Sequence, residues 1–333
     1  MNPHVRRPQP LPADHPGTPA PRLLTLTIDG QVAQVREGTS LLKVLQSLGI
    51  DTPTLCWAEN LTPVNVCRIC VVELEGARTL VPSCSRAAED GMVVHSDSPR
   101  VQAARRTVLE LLASSVDTST APQMLAFMAR YAADGQRFGP AQAPLAAGER
   151  DRALAGHHHL GDGQSAATVA QPVKIDNSLY VRDYAKCILC YKCVESCGID
   201  AQASFAIAVA GRGFDARIST EHAVPLPESA CVYCGTCVDA CPTGALMFKS
   251  EHDLRQAGQW RPADQATTRT ICPFCGVGCT LELTSQDNKI VRVTSPKDSP
   301  VSAGALCVKG RFGTVFVHGV AGEEGDEPSS TVP

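Results

Sequence analysis

Apolar and polar residues alternate in LLTLTIDGQVAQV at 23–35, a period of two that is typical of a β-strand. Asp29-Gly30 lies in its middle and is a two-residue turn signal, so the segment predicts a β-hairpin. SLLKVLQSL has the spacing of a helix, with Thr39 or Ser40 as N-cap and Gly49 at its end. IVVELEG and RTLVP then predict a second pair of strands.

The rest of the chain shows shorter patterns. Helices are predicted at about 99–114 and 121–133. AQASFAIAVAGRGFDARIS at 201–219 predicts a β-hairpin, and LELTSQDNKIVRVTSP predicts two strands around Asp287-Asn288. No hydrophobic run approaches about 18 residues, so we expect no membrane span.

The sixteen cysteines change this picture, because they fall into four groups of four with none left over. Four thiolates are what one iron–sulfur cluster needs. A disulfide scaffold is typical of short secreted chains, whereas this chain has 333 residues. The groups are Cys56, Cys67, Cys70 and Cys84; Cys187, Cys190, Cys193 and Cys197; Cys231, Cys234, Cys237 and Cys241; and Cys272, Cys275, Cys279 and Cys307.

The two middle groups both have the Cys-x2-Cys-x2-Cys-x3-Cys spacing of bacterial two-cluster ferredoxins. In that arrangement the fourth cysteine of each run reaches the other run's [4Fe–4S] cluster. Pro242 follows the second run, where its fixed φ turns the chain away. The predicted ligand sets are Cys187, Cys190, Cys193 with Cys241, and Cys231, Cys234, Cys237 with Cys197.

The first group has the Cys-x2-Cys core of plant-type ferredoxins with a longer first gap, and the strands around it favour a β-grasp domain with a [2Fe–2S] cluster. In the fourth group, Gly276 and Gly278 leave room for a cluster against the backbone, and the strands return Cys307 to its partners. Zinc is the alternative at each group, because Cys-x2-Cys is also a zinc half-site. The first group would then form a single zinc site, the two middle groups two zinc knots and the fourth group a zinc ribbon.

These motifs resemble known proteins. TICPFCGVGC with LCVKGRFG is similar to the start of the molybdopterin oxidoreductase family. The upstream cysteine motifs resemble the amino-terminal cluster region of NAD-dependent formate dehydrogenase catalytic subunits, a region shared with the complex I large iron–sulfur subunit and iron-only hydrogenases. The resemblance covers roughly 22–313. It implies clusters that lead from a flavin/NADH partner toward a buried active site, and it implies that Lys309 bridges cluster and pterin; an ordinary solvated lysine is the alternative.

The chain departs from this family in two places. A molybdenum or tungsten pterin domain follows KGRFG in the family, whereas here an acidic tail follows at 314–333, so we expect no pterin domain. The family places a histidine and three cysteines after RRTVLELL, where this chain has no cysteine, so one cluster is expected to be absent. His157, His158 and His159 lie in an Ala/Gly/Gln-rich segment that reads as a solvated linker.

The predicted organisation is α+β and modular. Each module is too small for a large apolar core, so cluster insertion is expected to be required for folding. The predicted parts are a disordered tail (1–21), a [2Fe–2S] ferredoxin-type domain (22–96), a helical segment in which the family's histidine-and-three-cysteine cluster region is degenerate (97–136), a flexible linker (137–170), a 2[4Fe–4S] ferredoxin domain (171–250), a linker (251–268), a small β [4Fe–4S] domain of molybdopterin-oxidoreductase type (269–313) and a disordered tail (314–333).

Composition limits the function. A net charge of −4 and 19% charged residues argue against nucleic acid, and the absence of Gly-x-Gly-x-x-Gly after a strand argues against a flavin or NAD site. Thiolates that await clusters favour the cytoplasm. The favoured hypothesis is an electron-transfer subunit, itself not catalytic, between an NADH/flavin subunit and a second redox subunit. The alternatives are the cluster-bearing half of a split molybdenum or tungsten formate dehydrogenase, and a zinc-binding interaction module.

Overall fold

The computed structural model describes residues 22–138, 173–212 and 216–314. The predicted tail at 1–21, nearly all of the predicted linker at 137–170, the His157–His159 run and all but the first residue of the tail at 314–333 lie outside the described residues. Within the described ranges, no helix has the length and apolar character that a membrane crossing requires.

The first module is a mixed five-stranded sheet with one helix packed against it. Its strand order is β2-β1-β5-β3-β4, with β1 parallel to β5 and the other pairs antiparallel. The helix contributes fully buried leucines and valine to a core shared with β1, β3 and β5. The elements are β1 (Leu23–Ile28), β2 (Gln31–Arg36), α1 (Leu41–Ser47), β3 (Val71–Leu74), β4 (Val81–Pro82) and β5 (Val93–His95).

The predicted hairpin and helix of this module are confirmed. Asp29 and Gly30 both have positive φ, which is the backbone of a two-residue turn whose twist matches the strands. The N-cap of α1 is Ser40, whose hydroxyl accepts a hydrogen bond from the Lys43 amide. The pair β3–β4 is also confirmed, whereas β5 was not predicted because three residues are too few to show a period.

Two helices follow, α2 (Pro99–Ser115) and α3 (Pro122–Arg130), which confirms both predicted helices. They pack through an apolar core that includes Leu109, Met124 and Tyr131, and the partly buried Cys67 and Ile188 border that core. The segment therefore lies between the first cysteine group and the second.

The second module carries the two middle cysteine runs. Each run continues into a short helix, and the predicted hairpin between the runs is confirmed by β7 and β8. A second antiparallel pair, β6 with β9, is too short to show in the pattern of residues. The elements are β6 (Tyr180–Arg182), α4 (Lys192–Cys197), β7 (Ala208–Ala210), β8 (Arg217–Ser219), α5 (Thr236–Ala240) and β9 (Leu246–Phe248), and helix α6 (Lys249–Gln256) follows directly.

The last module is a three-stranded antiparallel sheet, β10 (Ala266–Ile271), β11 (Thr280–Gln286) and β12 (Lys289–Thr294), followed by the short helix α7 (Val308–Phe312). The predicted turn at Asp287-Asn288 is confirmed, since both residues have positive φ and join β11 to β12. Every residue of β10 is exposed.

The segment 251–268, predicted to be a linker, contains ordered structure. Helix α6 begins just before it and β10 begins near its end. Glu251 of α6 is 6% exposed and pairs with Arg255 on its own helix and with Arg292 on β12. Trp260 lies against the guanidinium groups of both arginines. These contacts join the second module to the third.

The Glu251 network predicts a stability difference between two acidic residues of α6. Glu251→Gln should lower the free energy of unfolding by about 2 kcal/mol, because two guanidinium groups lose a buried carboxylate. Asp253→Asn, which removes exposed pairs with Lys249 and His252, should cost less than about 0.5 kcal/mol. Thermal unfolding of the reconstituted protein measures both changes, and equal losses from the two variants would contradict this account.

Candidate iron–sulfur sites

The first cysteine group, called site 1, brings all four of its thiols together as two pairs. Cys56 is hydrogen-bonded to Cys67, and Cys70 to Cys84. The hydrogen bond from Cys67 lowers the pKa of Cys56 to about 6, and the bond from Cys84 lowers that of Cys70 to about 7. The same bonds raise the pKa of Cys67 and Cys84. Two pairs of thiols, one member of each ready to ionise, suit a cluster with two irons.

The two middle runs exchange their last cysteines. Burial raises the pKa of Cys187 and raises that of Cys190 to about 12, and negative charge at Cys241 raises both further, so Cys241 lies beside them. One narrow cavity of about 10 Å³ is lined in part by a set of thiols called site 2. Site 2 consists of Cys187, Cys190, Cys193 and Cys241.

A second narrow cavity, of about 20 Å³, is lined in part by the complementary set, called site 3. Burial raises the pKa of Cys237 well above its ordinary value, and the charges of the other three thiols raise it further. Site 3 consists of Cys197, Cys231, Cys234 and Cys237.

Matching backbone conformations shape the two middle runs. The second residue after the first cysteine of each run, Leu189 or Tyr233, has positive φ, and its amide donates to that cysteine's Sγ at 3.4 Å. The fourth residue, Tyr191 or Gly235, also has positive φ. Left-handed backbone at these points wraps the run around a common centre and aims N–H groups at sulfur, as a cluster site requires.

Gly235 has a further reason to lack a side chain. A Cβ there would lie 2.4 Å from Cδ of Arg311 and 2.9 Å from Cζ of Phe312, both on α7 of the last module. Arg311 Nε donates to the Cys234 carbonyl at 2.8 Å. The last module is therefore seated directly on the site 3 loop.

The fourth group, called site 4, lies at the surface. Burial raises the pKa of Cys279, and the charges of Cys272, Cys275 and Cys307 raise it further, which places the four thiols together. Cys275 and Cys307 are exposed, whereas Cys272 is buried. Gly310 of α7 lets the helix approach site 4, since its Cβ would lie 3.5 Å from the Cys272 Sγ.

The four sites follow one another through the described structure. Burial and the charge of Cys241 are the main causes that raise the pKa of Cys190 in site 2, and Lys192 lowers it. Negative charge at Cys56 of site 1 is a smaller cause that raises it further. The pKa of Cys193 in site 2 is raised mainly by burial, and negative charge at Cys237 of site 3 raises it further. Aromatic rings connect site 3 to the last module: the Tyr180 hydroxyl contacts Cys231 Sγ at 3.0 Å, and its ring stacks on Phe312 at 6.1 Å.

The surroundings of the middle sites fit a bound cluster. Arg182 is 1% exposed and lines the site 3 cavity, and its Nε and Nη1 have no hydrogen-bond partner among the described residues. Buried donors of this kind require acceptors, which the sulfides and thiolates of a cluster provide. Sequence reasoning missed Arg182, because a lone arginine in a short strand carries no signal.

A single zinc ion is the alternative occupant of each group. Tetrahedral zinc with Zn–S bonds of about 2.3 Å would draw its four sulfurs to within roughly 3.8 Å of each other. In the part of the chain that the structure describes, no three His, Cys, Asp or Glu side chains are arranged to hold one metal ion. The iron and zinc content of the purified protein distinguishes clusters from zinc.

Lys309, singled out by the resemblance, is exposed on α7 two residues after Cys307. It lies beside the exposed face of site 4, and its bridging role stays a prediction.

Comparison with known families identifies the modules. A 2Fe-2S iron-sulfur cluster binding domain matches residues 21–99, a 4Fe-4S dicluster domain matches 186–245, and a molybdopterin oxidoreductase Fe4S4 domain matches 265–319. The chain carries these three iron–sulfur domains. These matches confirm the resemblance of the chain to the iron–sulfur cluster region of the molybdopterin oxidoreductase family.

Two similar proteins are named as oxidoreductase subunits. The chain is 33% identical over 302 residues to the NADPH-Fe(3+) oxidoreductase subunit alpha of Geobacter sulfurreducens, covering 89% of this chain and 32% of the relative. It is 31% identical over 309 residues to a subunit of the NADH-quinone oxidoreductase of Rhizobium meliloti, again 89% of this chain and 32% of the relative. The chain thus spans about a third of the length of these relatives.

Among solved structures, an NAD+-reducing [NiFe]-hydrogenase in the H2-reduced state matches with a TM-score of 0.54 and 24% identity. The match covers 68% of this chain and 87% of that one. The likeness shows a shared fold.

The close approach at Gly235 predicts a defined defect. Gly235→Ala should lower the free energy of unfolding by about 2–4 kcal/mol, because strain at positive φ is added to a clash with α7. Gly258→Ala is the matched control: Gly258 has φ of +67° and nothing within 4 Å of its Cβ position. It should cost about 1 kcal/mol. Thermal unfolding of both reconstituted variants measures the difference; a control as damaged as Gly235→Ala would show that the clash is unimportant.

Proposed function

We propose that this chain is an iron–sulfur electron-transfer subunit. It relays electrons between an NADH/flavin subunit and a second redox subunit of a cytoplasmic oxidoreductase complex. The observation that carries the proposal is the series of four thiol groups, in which charge effects connect sites 1, 2 and 3 and a ring contact leads from site 3 to the last module. An iron–sulfur cluster, when bound, accepts and releases one electron at a time.

The proposed load is one [2Fe–2S] cluster at site 1, in the β-grasp domain, and one [4Fe–4S] cluster at each of sites 2, 3 and 4. The chain's residues supply what these clusters need. Thiols provide ligands, backbone amides donate to sulfur, and apolar cavity walls keep water away. The chain itself provides no flavin, NAD or pterin site in this proposal.

The two ends of the series are the proposed contact points for partners. Cys67 of site 1 is half-buried beside the exposed Val66, and site 4 has two exposed thiols beside the exposed Val277. Electron transfer requires close approach, so partners should dock at these ends. The names of the relatives, which include NADPH, NADH and quinone, support a nicotinamide-linked partner.

A second candidate is the cluster-bearing half of a split molybdenum or tungsten formate dehydrogenase. The match of 265–319 to a molybdopterin oxidoreductase domain favours it, as does Lys309 at the exposed face of site 4. Pterin and molybdenum or tungsten in the purified native complex would support this candidate over the first one.

The proposed load predicts an iron content. Anaerobically reconstituted protein should be brown and contain about 14 irons per chain, which is two plus three times four, with little zinc. Metal analysis and a protein assay measure this. Stoichiometric zinc with fewer than about six irons would reject the electron-transfer proposal.

The proposal also predicts what the isolated chain does. It should accept electrons from dithionite, because a cluster needs only an outer-sphere donor, yet neither oxidise formate nor reduce NAD. Visible bleaching and a substrate assay test the two halves. Formate oxidation by the chain alone, after rigorous removal of partners, would overturn the assignment.

The exchange of cysteines predicts a crossed pattern of damage. Cys241→Ser should affect the site 2 cluster first, although Cys241 lies in the second run, and Cys197→Ser should affect the site 3 cluster. Either change should lower the Tm, since both sites share one core. Electron paramagnetic resonance of the reduced variants identifies the lost signal. Damage by Cys241→Ser confined to site 3 would contradict the exchange.

A further inference from the structure

Site 3 has a buried positive charge that comes from another module. Arg311 of α7 has a side chain that is 0% exposed, and it donates to three carbonyls, of Cys234 at 2.8 Å, Val293 at 3.1 Å and Gly304 at 3.5 Å. Neutral carbonyls hold the guanidinium in place without cancelling its charge. Burial lowers the pKa of Arg311, and the negative charges of Asp239, Cys234 and Cys237, in that order, oppose this shift.

The nearest carboxylate does not neutralise Arg311 by itself. Asp239 lies 4.0 Å from Nη1, and it also forms an ion pair with Lys297. One carboxylate is therefore shared between two cations, which leaves an excess of positive charge beside site 3. That charge is far from bulk water, so it is weakly screened.

Site 2 has a comparable cation from its own run. Lys192 is partly buried, and its backbone amide donates to the Cys190 thiol. Lys192 lies in the chain between Cys190 and Cys193, at the first residue of α4, and negative charges at Cys190 and Cys241 oppose the burial that lowers its pKa. A third buried cation, Arg182, lines the site 3 cavity and forms an ion pair with Asp176.

We infer that Arg311 and Lys192 determine how an electron is shared between the two middle clusters, Arg311 favouring site 3 and Lys192 favouring site 2. The inference rests on the cluster occupancy proposed above. A reduced cluster carries one more negative charge than the oxidised one, so a nearby buried cation stabilises the reduced form and raises the potential. Arg311 is a residue of the last module, so docking of that module sets the potential of a cluster in its neighbour.

The test compares charge-removing and charge-keeping variants in the full chain. Arg311→Gln should move the electron from site 3 toward site 2 by at least tenfold, about 59 mV for a one-electron couple. Lys192→Gln should move it the opposite way. Arg311→Lys and Lys192→Arg keep the charge and should stay near the wild-type distribution. Iron content and redox titration followed by paramagnetic resonance provide the readouts, with Cys234→Ser and Cys190→Ser assigning the signals.

The outcomes separate this inference from the proposed function. Opposite shifts from the two glutamine variants, with iron content retained, support it. Full iron content with no shift, or with both variants moving the same signal, overturns the inference and leaves the electron-transfer proposal intact. A wild-type chain that binds no clusters overturns both. If Arg311→Gln fails to load iron, the Lys192 variants decide the outcome, because a shift equal in Lys192→Arg and Lys192→Gln would show that charge is not the cause.

Discussion

The exchange of one cysteine between the two middle runs is the constraint on which the central module depends. Each run of Cys-x2-Cys-x2-Cys wraps one cavity, and its fourth thiol closes the cavity of the other run. The hydrophobic core of this module consists of residues that surround the thiols, including Tyr180, Tyr184 and Phe248. Each half alone would lack one of the four thiols and half of its core, so we expect cluster binding and folding to be coupled here.

Buried charge connects the modules to one another. Arg311 ties α7 to the site 3 loop, and Glu251 ties α6 to Arg292 of β12. The first module is held by the carboxylate of Asp200, which accepts from the Thr62 amide and hydroxyl. A small module with a modest core gains a fixed position from such contacts, because removing one partner would leave a buried polar group unsatisfied. Fixed positions keep the four sites at constant separations, as electron transfer requires.

The sequence predicted the elements that have a clear period or a strong turn signal. The Asp29-Gly30 and Asp287-Asn288 hairpins, α1, α2 and α3 are all present. Cys241 lines one cavity with three cysteines of the first middle run, whereas its role as a ligand there, implied by the ferredoxin spacing, stays a prediction. Strands of three residues such as β5 and β6 carry too few positions for a pattern. The order in 251–268 depends on Trp260 stacking between two arginines, one of them on a distant strand, which no local pattern reports.

Anomalous scattering at the iron absorption edge, from crystals of the anaerobically reconstituted protein, tests the central claim most directly. The account predicts four separate iron centres, one with two irons and three with four. The site 2 centre should be bound by Cys187, Cys190, Cys193 and Cys241, and the site 3 centre by Cys197, Cys231, Cys234 and Cys237. A structure with Cys197 bound to the same centre as Cys187, or with single zinc ions in place of iron, would contradict it.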